Sequence, residues 1–169
     1  VMLKDELKLM PNSQEPSYKP IIFADGDRRM QPTAVEKICV FFPFVGWIIG
    51  AHIENRRQQH LHDEVVSQLQ YRTFFPSHDW TIACPHFSLD TITRFCEIIK
   101  EACSLPNHHL LPSDPVRYVF IGSDLEWFVS DISQQLNNRY EVIDFRISSS
   151  IYNGDLSQLL TETVDCNSH

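Results

Sequence analysis

The chain has 169 residues and a mass of 19.7 kDa, enough for one domain that buries a core without disulfide or metal staples. Apolar residues make up 43% and charged residues 21%, which excludes wholesale disorder, collagen-like repeats and coiled coil. The net charge is −8, and the only adjacent basic pairs are Arg28-Arg29 and Arg56-Arg57, too little cationic surface to neutralise a phosphate backbone, so no nucleic-acid partner is expected.

Residues 1–20 read as an N-terminal arm. Leu3, Leu7 and Met10 give a short amphipathic helix, which Pro11, Pro16 and Pro20 then interrupt. Val1 to Glu6 lacks an apolar stretch and a small-residue cleavage site, so no secretory leader is expected, and a first residue of Val suggests a fragment. A single domain is expected over 21–169. It opens with Ile21-Ile22-Phe23-Ala24, an apolar run ending in Asp25-Gly26-Asp27, which reads as a strand and a turn.

The segment from Ile38 to Ala51 holds fourteen consecutive residues without a charge. As a helix it spans about 21 Å, short of the roughly 30 Å hydrocarbon core, and Pro43, Gly46 and Gly50 interrupt it. Two readings follow. One is a buried core element, the usual fate of runs this long. The other is an interfacial membrane segment, with Arg56-Arg57 as headgroup anchors.

His52 to Tyr71 reads as a helix with Leu61, Val65 and Leu69 on one face. Trp80 to Cys84 reads as a short strand stopped by Pro85. Ser88 caps a second helix to Ala102, with Leu89, Ile92, Phe95, Ile99 and Cys103 on its apolar face. A proline-containing loop follows to Pro115. Val116 to Ile121 reads as a strand, Ser123 and Glu126 as the capping box of a helix to Leu136, and Tyr140 to Ile147 as a strand. Strand, helix and strand with short turns predict a βαβ unit over 116–147. The tail from Ser148 is helix-capable through Leu156, Leu159, Leu160 and Val164. The predicted fold is therefore α/β, three-layered, with a mostly parallel sheet from strands near 21–24, 80–84, 116–121 and 140–147.

The five cysteines, at 39, 84, 96, 103 and 166, are odd in number and form no CxxC. A reducing, cytoplasmic compartment fits them best. Cys84 precedes His86 by two residues, but a structural thiol is the simpler reading. His60-Leu61-His62-Asp63 falls in the predicted helix, where residues two apart point about 200° away from each other and cannot share a metal. His86 with His108-His109 has no standard ligand spacing, and no metal site is expected. Trp127, beside Glu126 and Asp131, suggests a protein-contact face.

Two carboxylates one residue apart at a strand's carboxyl end are able to hold Mg²⁺ and serve phosphoryl transfer. In Ile21 to Asp27 the chain resembles the haloacid dehalogenase superfamily, whose first motif is a strand followed by D-x-D. The resemblance implies Asp25 as nucleophile, Asp27 as acid/base and Mg²⁺ as cofactor. It sets Thr81 to Cys84 in the place of the second motif, and Ser123 and Asp124 near the metal-holding acidic motif. Arg28-Arg29 and Cys84 depart from that pattern, and the phosphate-binding lysine has no counterpart. No glycine-rich phosphate loop and no G-x-S-x-G is present.

The leading expectation is thus a non-catalytic module that binds a protein partner. The alternatives are a Mg²⁺-dependent phosphohydrolase using Asp25 and Asp27, and a membrane-peripheral protein using residues 38–51.

Overall fold

The computed structural model describes residues 18–24, 26, 29, 31–39, 41, 45–105, 109–123, 125–137 and 149–164. Among these the chain is helical throughout, with no strand: α1 (Ala34–Cys39), α2 (Val45–Leu69), α3 (Ser77–Ala83), α4 (Leu89–Ala102), α5 (Val116–Val119), α6 (Leu125–Asn137), α7 (Ser149–Asn153) and α8 (Leu156–Thr163). The expected three-layer α/β fold with a parallel sheet is overturned, and so is the βαβ unit. Its first strand is the helical turn α5. Its last, residues 140–147, lies outside the described residues.

Each correction has a local cause. Trp80 to Cys84 lies in and just after α3, which opens behind Pro76 and carries Asp79 in its first turn. Trp80 and Cys84 are buried while Thr81, Ile82 and Ala83 between them are exposed. That is a spacing of four, one turn of helix, not the alternation of a strand. Across α5 and the two residues after it, five of the six residues from Val116 to Ile121 are buried, Arg117 being the exception. A short run buried on every side has no periodicity to separate strand from helix, and Pro115 ahead of it favours helix initiation. Ile21 to Phe23 does alternate, with Ile21 and Phe23 buried and Ile22 exposed. It finds no strand to pair with. Its backbone is satisfied by side chains: Ile21 N–H donates to Asp114 Oδ1 at 3.0 Å, Ile22 N–H to Gln68 Oε1 at 3.0 Å, and Gln68 Nε2 returns a bond to Ile22 C=O at 2.7 Å.

The core forms where α2, α4, α6 and α8 meet. It contains Leu61, Val65 and Leu69 from α2, Ile92, Phe95 and Ile99 from α4, Val129 and Ile132 from α6, and Leu156, Leu159 and Leu160 from α8. Ser88 caps α4 as read, its Oγ accepting from Thr91 N–H at 3.1 Å. Leu89, expected on the apolar face, is exposed. Asp155 caps α8, accepting from Gln158 N–H at 3.0 Å.

One buried ion pair ties the periphery to this core. Arg72, just past the end of α2, donates to Asp114 Oδ2 and Oδ1 at 2.5 and 2.9 Å. It also donates to the carbonyls of Lys19 and His109, at 2.6 and 3.2 Å. Asp114 in turn accepts from Leu111 N–H at 2.8 Å, and its carbonyl accepts from Leu156 N–H at 3.0 Å. Lys19, the last part of the predicted arm, is thereby bound to the domain, as is Tyr18, whose hydroxyl accepts from Phe74 N–H at 3.1 Å.

Candidate functional site

The residues with the most unusual environment lie in α1 and the first third of α2. Thr33-x-x-Glu36 behind Pro32 is a capping box: Glu36 Oε2 accepts from Thr33 N–H, and Glu36 N–H donates to Thr33 Oγ1 at 3.3 Å. It starts α1 at Ala34, ahead of the apolar run read over 38–51, and the sequence reading gives no element there although the signal stands in the sequence. After the turn, α2 returns antiparallel to α1. Gly46 is buried, and a Cβ on Gly50 would stand 3.5 Å from Cys39 Cβ. Small residues let the two backbones approach.

At one level this hairpin gathers several ionised side chains. Arg57 Nε stands 3.6 Å from Glu36 Oε1, bridging α2 to α1, and a guanidinium Nη of Arg57 pairs with Glu54. Gln58 Nε2 donates to Glu54 Oε1 at 2.7 Å, and Arg57 also donates to the Gln31 carbonyl. Glu36 is buried. The hydroxyl and N–H of Thr33 hold its carboxyl below the ordinary range, with Arg57 adding to the effect.

Beyond this charged collar, residues 38–53 contain no Asp, Glu, Lys or Arg. Among the described residues, six large apolar side chains face outward: Phe41 is 80% exposed, Trp47 75%, Val45 66% and Ile48 63%, with Ile38 and Ile49 exposed as well. Successive helix residues turn by about 100°, so Trp47, Ile48 and Ile49 point in three directions. The expectation that this run forms core is therefore corrected. Among the described residues of the run, Gly46 is buried, Gly50 and Cys39 are half-buried, and the large side chains of Ile38, Phe41, Val45, Trp47, Ile48 and Ile49 lie outside. From Val45 to Ile53, α2 rises about 13 Å. No described helix is long and apolar enough to cross a membrane.

The other candidates do not converge. Asp25, Asp27 and Asp124 lie outside the described residues. Gly26, between the two aspartates, has φ +56°, and its N–H donates to Phe23 C=O at 3.0 Å, the geometry of a turn. Ser123 is half-buried beside a cleft of about 430 Å³ that Arg57, Gln58, Arg117 and Tyr152 also line. The second and third haloacid-dehalogenase motifs fall on α3 and on the α5 turn, so the sheet that would gather them is absent among the described residues.

Cys84 is buried, and burial, then Asp155, push its thiol up. Burial and a raised pKa both disfavour the reactive thiolate. Burial also raises the thiols of Cys96 and Cys103, the latter to about 12. His60 is exposed, while His62 is half-buried with Nε2 2.9 Å from Cys103 C=O. His109 packs edge-on against Phe75. No group of three or more His, Cys, Asp or Glu able to hold a metal occurs among the described residues. The side chain of Trp127 and residue His108 lie outside them.

The chain matches no family model, no curated protein and no solved structure.

Proposed function

We propose that the protein is a non-catalytic module that docks on a bilayer surface through the tip of the α1–α2 hairpin. The observation that carries this reading is the uncharged tip, exposed on three sides, above a charged collar. A helix apolar all round belongs in an apolar medium. A flat protein partner covers one face of a helix and would leave Trp47 or Ile49 in water. Hydrocarbon surrounds the tip on every side, and a depth of about 13 Å fits within one leaflet of a core about 30 Å thick. Each exposed Trp, Phe, Val or Ile that enters it contributes up to about 1.5–3 kcal/mol. This supports the membrane-peripheral alternative over the protein-binding module, whose chosen residue was Trp127.

The test is co-sedimentation of the full chain with phosphatidylcholine vesicles. Binding is expected for the native chain and is lost in Trp47→Ser with its thermal melt unchanged. A native chain left wholly in the supernatant overturns the reading.

A further inference from the structure

Resting on that docking reading, we infer that the collar makes the hairpin selective for anionic phospholipid headgroups, with Lys37 and Arg56 as the residues that meet them. The charges of the collar are sorted by direction. Its carboxylates, Glu36 and Glu54, both turn towards the single guanidinium of Arg57. Its remaining cations, Lys37 in the last turn of α1 and Arg56 on α2, are both exposed. Lys37 directly precedes the uncharged run and Arg56 stands three residues past its end, so both stand at the level where headgroups lie once the tip is inserted. The next carboxylate exposed along α2 is Asp63. It is seven residues, about 10 Å, further along the axis, beyond a Debye length of about 8 Å at physiological salt. Among the described residues of the collar, Lys37, Arg56 and Arg57 stand against Glu36 and Glu54, so the local sign there is positive. Long cationic side chains reach the headgroup region from just below the apolar boundary.

The experiment compares vesicles of phosphatidylcholine alone with vesicles in which about a third of the lipid is phosphatidylserine. The full chain is expected to partition on the order of tenfold more strongly onto the anionic vesicles, and the gain is expected to vanish in 0.5 M salt. In Lys37→Gln/Arg56→Gln the gain is lost while binding to phosphatidylcholine stays as in the native chain. Arg94→Gln, an exposed cation on α4, keeps the gain and shows that position rather than total charge matters. Equal partition of the native chain onto both vesicles overturns the selectivity and leaves the docking reading intact. So does a gain that survives the double substitution. Absence of binding to either vesicle overturns both.

Discussion

The two halves of α2 share a backbone and differ in what surrounds them. From Leu61 to Leu69, buried side chains recur at spacing four and the opposite face is polar, so the helix meets the core with one stripe and water with the other. From Val45 to Ile53 the buried position is a glycine and the large apolar side chains face outward. The second pattern is unstable as a water-facing surface and reasonable as one that leaves water. Each half is bounded by an arginine on a carboxylate, Arg57 at the collar and Arg72 at the far end. Arg72 and Asp114 are buried in the fold, whereas the collar is only partly so. The first pair holds structure together; the second marks where the protein's own interior stops.

The largest expected effect tests the buried end. Asp114→Ala leaves the Arg72 guanidinium buried without its counter-ion and removes acceptors from Ile21 and Leu111 N–H. A loss of about 3–5 kcal/mol is expected, read as a fall in thermal midpoint or a failure to fold. Arg72→Met/Asp114→Leu, which removes both charges, is expected to recover part of that loss. A melt unchanged in Asp114→Ala would show that the pair contributes nothing.

Next comes a direct contrast within the helix. Leu61→Ala opens space in the core and is expected to cost about 2–5 kcal/mol. Ile48→Ala, thirteen residues earlier, removes an exposed side chain and is expected to change stability by less than about 0.5 kcal/mol, while weakening vesicle binding severalfold. Equal losses in urea melts of the two variants would mean that the tip is packed, and the division of α2 would fail.

How much of this was legible depends on whether a signal is local. The helical half of α2 was read from Leu61, Val65 and Leu69, and α4 from its Ser88 cap, because periodicity and caps are written in neighbouring residues. α3 and α5 were read as strands because Trp, Thr, Ile, Val, Tyr and Phe favour strands locally, while their burial on a helical core decides otherwise. Ile21 to Phe23 has the alternation of a strand, but its partners are the side chains of Gln68 and Asp114, 46 and 93 residues away, which no pattern reveals. The same distance hid the Arg72–Asp114 pair. At 38–51 the sequence supplied both readings, core and interface, and lacked the third dimension that separates them. The Thr33-x-x-Glu36 box is the local signal that a helix starts just ahead of the run and ends inside it.

A smaller effect concerns the collar, where the halves meet. Thr33→Ala removes the cap of α1 and is expected to cost about 1 kcal/mol. It also removes the hydrogen bond that most lowers the Glu36 pKa. Because that pKa is depressed in the folded chain, its stabilisation is complete above the ordinary value of 4.5 and is lost as pH falls through the folded value. Native stability is therefore expected to drop more steeply than that of Glu36→Gln as pH falls below 4.5. Melts that track each other across that range would refute the linkage.

The smallest effect falls at Ser123, whose neighbour Gly122 packs near Gln58, one residue past Arg57. Read from sequence, Ser123 caps α6 with Glu126 three residues on, and Ser123→Ala would cost about 1 kcal/mol. In the structure α6 begins at Leu125, two residues past Ser123, and residue 124 lies outside the described residues. Its N–H donates to Phe120 C=O at 3.1 Å, closing a turn in which Gly122 has φ +73°. Its side chain hydrogen-bonds the Cys103 thiol, opposing the burial that raises it. A bond between two neutral groups, one of them sulfur, is weak. The expectation is now that Ser123→Ala shifts stability by less than about 0.5 kcal/mol and makes Cys103 still slower to alkylate. A urea midpoint lowered by the equivalent of about 1 kcal/mol would return the cap to Ser123 and move the start of α6 back by one residue.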